Sequence, residues 1–281
     1  MKRQLLSIAA LLSAASAIAQ PTIQANQFNY TSLSAFEYKY ASSQQTAIAQ
    51  PGASGANVSW DFSNIVAQST INYATAACPG DADCGLFAGA NQVVKLNNVG
   101  GAKVYYNKTQ NMMEQVGEKG MGADGDAVFS NPMKVMQFPV SFGQTFSDSY
   151  SYGTSSGTRS GTLTSTIDAY GTLKTPAGTY TNVLRQKIVE NSTVTVGSQS
   201  MQILITHYYW LAPNVHRMLM SLISTQTEIV GIPPQTVYVA TYSTQSSTPT
   251  VLLITKACLV KLQYILTLPA KRSRFKLPAW I

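Results

Sequence analysis

From residue 157 to residue 244, apolar and polar side chains alternate with a period close to two, the mark of strands with one face buried. Five segments carry the pattern: 157–175, 179–196, 200–212, 216–230 and 235–244. They are joined by Pro-Ala-Gly, Gly-Ser-Gln, Pro-Asn and Gly-Ile-Pro-Pro, all turn-forming chemistry. Joins this short make neighbours antiparallel. Several segments exceed the usual five or six residues of a strand, which predicts a long, bent sheet with bulges. No segment has a sustained helical period, and no repeat of fixed length recurs.

The first half is less regular. Val58, Trp60 and Phe62 alternate with polar residues in 55–65 and predict a strand. Residues 93–107 predict two short strands about a turn containing Asn-Asn and Gly-Gly, and 113–128 reads as a Gly-rich loop. Alternation returns over 134–153, with Phe138-Pro139 marking an edge or a strand entry. Residues 24–45 are polar with scattered aromatics and yield no element. The expected fold is all-β: a long antiparallel meander forming a curved, half-barrel-like sheet, with a β-sandwich as the alternative. A β-rich exported domain is expected over residues 20–245.

The two ends change the picture of charge. Residues 1–19 begin with Lys2 and Arg3, continue in an apolar run from about Leu5, and close with Ala17, Ile18 and Ala19. That order predicts a bacterial-style secretory signal peptide and export by the general secretory pathway. The apolar run is too short for a membrane span of about 20 residues. The net charge of +7 is misleading. Of 19 basic residues, two lie in the leader and six beyond residue 250, whereas all twelve acids lie at or before Glu228. Eleven bases against twelve acids leave the body near neutrality, which excludes a basic nucleic-acid-binding face on its totals. Its richness in Thr, Ser, Tyr and Val suits exported β-proteins.

Cys78 and Cys84 flank a Pro-Gly turn, and in an oxidising compartment they are expected to form a small-loop disulfide. Zinc is the rival reading, but His207 and His216 are distant and make a poor ligand set. Asp81 with Asp83, and Asp124 with Asp126, resemble the start of a calcium loop. The twelfth position falls on Gln92 or Val135, not on Glu, so solvated turn acids are expected and no metal or cofactor is. No Gly-x-Ser-x-Gly stretch is present, and neither histidine has a triad setting. Asn29, Asn57, Asn107 and Asn191 head Asn-x-Ser/Thr triplets, read as chance matches in an Asn- and Thr-rich chain. Two carboxylates on facing strands could serve glycoside hydrolysis, with Asp168 and Glu190 as the best pair. Tyr208, Tyr209 and Trp210 could stack on a ligand. Alternation puts Tyr208 and Trp210 on one face and Tyr209 on the other, so part of this trio is expected in the core.

The stretches IDAYGTLKTPAGTYTNVLRQKIVE, GANVSWDFSNI and MKVMQFPVSFGQTFSDSY resemble uncharacterised exported proteins of Bacteroidota. Membership would imply a β-rich body followed by a C-terminal sorting domain for the type IX secretion system. TYTNVLRQK and YYWLAPNVHRMLM also resemble the sheet of lipoprotein-carrier-like half-barrels. Neither resemblance brings catalytic residues. A sorting domain of this kind starts much like Tyr-Pro-Asn-Pro, which the basic tail 246–281 lacks. One set of synonymous codons for residues 263–270 reads Ile-Tyr-Pro-Asn-Pro-Ala-Arg in a shifted frame. Acids vanish there, and the odd Cys258 enters. The tail is therefore expected to be an out-of-frame remnant of a sorting domain. A genuine basic surface segment is the rival, because Lys256 and Lys261 disfavour a membrane span.

These readings converge on an exported or cell-surface protein, secreted or periplasmic according to the fate of the tail. Its expected function is a non-enzymatic binding or structural module for a glycan, a lipid or another surface component. A secreted hydrolase acting on polysaccharide or peptide is the alternative.

Overall fold

The alternating segments pair into one continuous sheet that closes on itself. The structure, a computed structural model, describes residues 20–42, 50–121, 126–155, 157–229 and 232–244. The signal segment 1–19, Asp124 and the tail 246–281 lie outside the described residues. The strands are β1 (Thr22–Ile23), β2 (Ala35–Ser42), β3 (Gly55–Asp61), β4 (Ser69–Ala77), β5 (Gln92–Leu96), β6 (Ala102–Lys108), β7 (Met112–Lys119) and β8 (Ala127–Gln137). They continue as β9 (Val140–Ser141), β10 (Thr145–Gly153), β11 (Thr158–Thr175), β12 (Gly178–Val196), β13 (Gln199–Leu211), β14 (Met218–Ile229) and β15 (Ile232–Ser243).

The order β10-β8-β7-β6-β5-β4-β2-β15-β14-β13-β12-β11 is antiparallel throughout, and β10 pairs with β11 to close a twelve-stranded barrel. The meander predicted over 157–244 forms one side of its wall. The predicted half-barrel curvature continues until the edges meet, and the single closed sheet replaces the sandwich alternative. Closure leaves no free edge in the barrel itself. Strand β3 lies outside the closed ring and pairs parallel to β11, with Trp60 opposite Leu173.

Two expectations are corrected. The span 113–128 is not one loop: β7 occupies it as far as Lys119 and β8 begins at Ala127. Its interior face reads Met113 and Gln115, after which a register shift between Gln115 and Gly117 breaks the period and hides the strand from pattern reading. The polar stretch 24–45 contains β2, whose Phe36 and Tyr38 are buried.

Eight strands enclose about as much space as side chains can fill, and twelve enclose more. The chain between β1 and β2 occupies part of the surplus at one end. Ile23, Phe28 and Tyr30 are buried in the same cluster as the inward-facing Val94, Met113, Met136, Leu184 and Leu211. Tyr30 and Leu33 offer their carbonyls to Thr75 Oγ1, and Gln92 Nε2 donates to Asn29 Oδ1 at 2.8 Å, which fastens this plug to the wall.

Two further clusters cover the outside. Trp60, Phe62 and Ile65 pack over Leu173, Val183, Trp210 and Leu219. Around the confirmed Cys78–Cys84 bridge, with Cα atoms 5.6 Å apart, Phe87 stacks on Tyr105 at 3.8 Å. Asp81 there accepts from Lys95 Nζ at 2.7 Å, Lys103 Nζ at 3.0 Å and Tyr105 Oη at 3.0 Å. Asp83 accepts from Lys103 and Lys119. Among the described residues no helix is long and apolar enough to cross a membrane.

Candidate functional site

Residues two apart on a strand share a face, so Leu184, Gln186, Ile188, Glu190 and Ser192 of β12 all face inward. On the neighbouring β13, His207 and Tyr209 join them. These two strands form one wall of a chamber of about 150 Å³ inside the barrel. Its lining is mostly aromatic and thioether: Phe28, Tyr30, Tyr106 and Tyr209 with Met113, Met133, Met136 and Met218. The polar groups on it are few: Gln115, Gln186, Glu190 and His207, besides the tyrosine hydroxyls. Burial pushes the phenols of Tyr30, Tyr106 and Tyr209 upward, so they stay neutral.

Glu190 anchors a buried polar cluster at one side of this chamber. Its Oε1 accepts from both the Tyr150 hydroxyl and Arg159 Nη2. Arg159 Nε donates to Ser192 Oγ at 3.2 Å. Glu190 Oε2 faces His207 Nε2 at 3.5 Å, and His207 Nδ1 lies 2.9 Å from the Tyr209 hydroxyl. Burial alone would raise the Glu190 carboxyl, but the His207 contact and the Arg159 charge outweigh it and hold it down to about 2. Nearby Glu118 accepts from Gln115 Nε2 at 3.0 Å, and burial pushes its carboxyl up. The two carboxyls are thus driven in opposite directions.

Arg159 also lines a second cavity of about 120 Å³, with Tyr152, Val194, Met201 and Ile203 among its walls. Since Glu190 lines the chamber and Arg159 the second cavity, their ion pair links a wall of one to a wall of the other.

The outer face of the same wall explains the other sequence candidates. Trp210 is fully buried against Trp60 and Phe62, with ring centroids 6.0 and 5.2 Å away, and Tyr208 packs beside it. Only Tyr209 of the trio reaches the chamber. Asp168 is gripped by Arg185 through two contacts of 2.8 Å. Arg185 is 2% exposed, stacks against Trp60, Tyr208 and Trp210, and donates to the carbonyls of Pro51 and Gly52. Asp168 therefore fixes the outer cover, while Glu190 points inward. The barrel wall separates the two, and they share no cleft.

Sequence reasoning did not single out Arg159, Gln186, Tyr150 or Glu118. The available signal was parity: Gln186 and Glu190 are spaced for one face of a strand, and polar residues there interrupt the apolar run of Leu184 and Ile188. Which face points inward was not readable from parity. No family model matches this chain, and no curated protein or solved structure is significantly similar to it.

Proposed function

We propose that the chain is a non-enzymatic exported binding module whose barrel holds a small, largely apolar ligand. One observation carries the reading: an internal chamber of about 150 Å³ with aromatic and methionine walls and few polar groups. Apolar cavities of about that volume accept a single aromatic ring. Methionine side chains adapt their shape to a guest, and neutral phenols offer apolar ring faces without charge.

The outward face of β10 to β13 carries polar pairs beside the exposed Val189 and Leu204. Thr145 pairs with Thr166 at 3.0 Å, Ser147 with Thr164 at 3.3 Å and Thr195 with Ser200 at 3.1 Å across exposed strands. A lipid-facing barrel would carry an apolar band about 25 Å tall on this side. The hydrolase alternative draws on the opposed carboxyls Glu118 and Glu190, a pattern shared with acid–base pairs. Glu118 lines neither cavity described above, and the binding reading is preferred.

The test uses the full chain with ¹³C-labelled methionine methyls and toluene as the probe. Toluene should shift Met113, Met133, Met136 and Met218, which line the chamber. Met121 on the surface and Met220 in the outer cover should stay still. Absence of any shift, or shifts spread over Met121, would remove the chamber as a binding site.

A further inference from the structure

Gln186 is 1% exposed and lines the chamber. Its Nε2 donates to the Val135 carbonyl and to Ser165 Oγ, both at 2.9 Å. A carbonyl can only accept, so the amide cannot be turned the other way round. Its Oε1 is then fixed without a donor among the described residues. A buried acceptor left in that state is unfavourable, and a guest that supplies a donor relieves it.

Glu190 offers a second acceptor on the same face of β12. Its Oε1 is occupied by Tyr150 and Arg159, whereas Oε2 has only the long 3.5 Å contact with His207 Nε2, which leaves it room for a second donor. Neither lysine nor arginine lines the chamber. Arg159 is turned to Glu190 and Ser192 and borders the other cavity. An anionic guest would meet an ionised carboxylate, and the one basic side chain in the lining among the described residues, His207, already faces Glu190.

We propose that the chamber selects a one-ring-sized apolar ligand bearing a hydrogen-bond donor, a hydroxyl or an ammonium group, and rejects carboxylates. The inference rests on the binding reading above and names the ligand class. Donor recognition by Gln186 Oε1 or Glu190 Oε2 supplies the selectivity. An ammonium group gains additionally from the faces of Phe28, Tyr30 and Tyr106.

The experiment titrates the same methyl-labelled full chain with benzyl alcohol, benzaldehyde, benzylamine and benzoate. Benzyl alcohol and benzaldehyde have the same ring and nearly the same size, but only the alcohol donates. The alcohol should bind about three- to tenfold more tightly, the worth of one net hydrogen bond. Benzoate should leave the four chamber methionines unshifted. Gln186→Met should abolish the alcohol's preference, read as the ratio of the benzyl alcohol and benzaldehyde affinities within that variant. Because that variant also loses two donated bonds, the ligand series on the unaltered chain stands as an independent test. Benzylamine tighter than the alcohol assigns an ammonium head at Glu190, and the reverse order assigns a hydroxyl at Gln186. Benzaldehyde or benzoate binding as tightly as benzyl alcohol overturns the inference. Toluene separates the two failures: if it shifts the chamber methionines while the series shows no donor preference, only this inference falls. If toluene also fails, the binding reading falls with it.

Discussion

The Arg159 guanidinium and the Tyr150 hydroxyl donate to the same oxygen of Glu190, so one carboxylate oxygen ties β10, β11 and β12 together inside the barrel. Their agreement on one acceptor makes this pair more than a surface contact. Glu190 is 5% exposed, and its removal leaves Arg159 without a counter-charge. Glu190→Gln is expected to cost about 3 kcal/mol in urea denaturation. A double variant, Glu190→Gln with Arg159→Met, should cost clearly less than the two single changes summed. Additivity within about 0.5 kcal/mol would show that the two residues are not coupled.

The same carboxylate sets an acid limit. Its folded value is held at about 2 against an ordinary 4.5. A depressed carboxyl stabilises the fold fully above its unfolded value, and the contribution is lost as pH falls toward the folded one. Asp81 and Asp83 add to the same trend. Burial opposes ionisation of Asp81, but hydrogen bonds from Lys95, Lys103 and Tyr105 overcome it, and Lys103 and Lys119 lower Asp83. Stability should therefore decline between about pH 4.5 and 2. In Glu190→Gln the decline should be shallower, read from urea midpoints across that range.

Glu118 should behave in the opposite sense. Burial raises its carboxyl, so the fold favours the protonated form, and a cost builds as pH rises past the unfolded value and is complete above the folded one. Glu118→Gln keeps an acceptor for Gln115 and carries no charge. It should raise the thermal midpoint at pH 8 and leave it unchanged at pH 4. An equal effect at both pH values would assign the change to packing instead.

Gly171 holds the outer strand in place by having no side chain. A Cβ there would stand 1.8 Å from the Val58 carbonyl oxygen and 2.6 Å from its nitrogen. Both are backbone atoms of β3, so β3 has to move off β11. Gly171→Ala should cost about 1–3 kcal/mol. Trp60 fluorescence should shift to the red as its contact with Trp210 loosens. An unchanged Trp60 environment would show that β3 follows the change without detaching.

The bridged loop offers a separable module. Cys78→Ala with Cys84→Ala should lower stability by about 2–3 kcal/mol, the loop-closure value for so short a span. Reductant should reproduce the effect on the unaltered chain and do nothing to the double variant. The ligand response of the chamber methionines should persist in both, because the loop packs on the outside around Phe87 and Tyr105.

The sequence by itself determined the strands of the second half, because a period of two with Pro and Gly punctuation is local information. It also determined the pairing of Cys78 with Cys84, six residues apart, and the opposite faces of Tyr209 and Trp210. It did not show β7, where a bulge interrupts the period, nor β2, where Phe36, Tyr38 and Tyr40 alternate strictly with Glu37 and Lys39 but the run is short and set in a polar stretch. Closure was a tertiary decision: β10 and β11 pair as a local hairpin with Gly153 opposite Thr158, but the ring shuts only where β15 meets β2 with Val239 opposite Ser42, strands from opposite ends of the chain that twist and curvature bring together. Closure in turn decided which parity faced inward, and with it the fates of Asp168 and Glu190. One came to clamp Arg185 on the outside, and the other became the buried acceptor of the chamber. Alternation can say that two residues lie on opposite faces, but only the closed sheet says which face encloses a cavity.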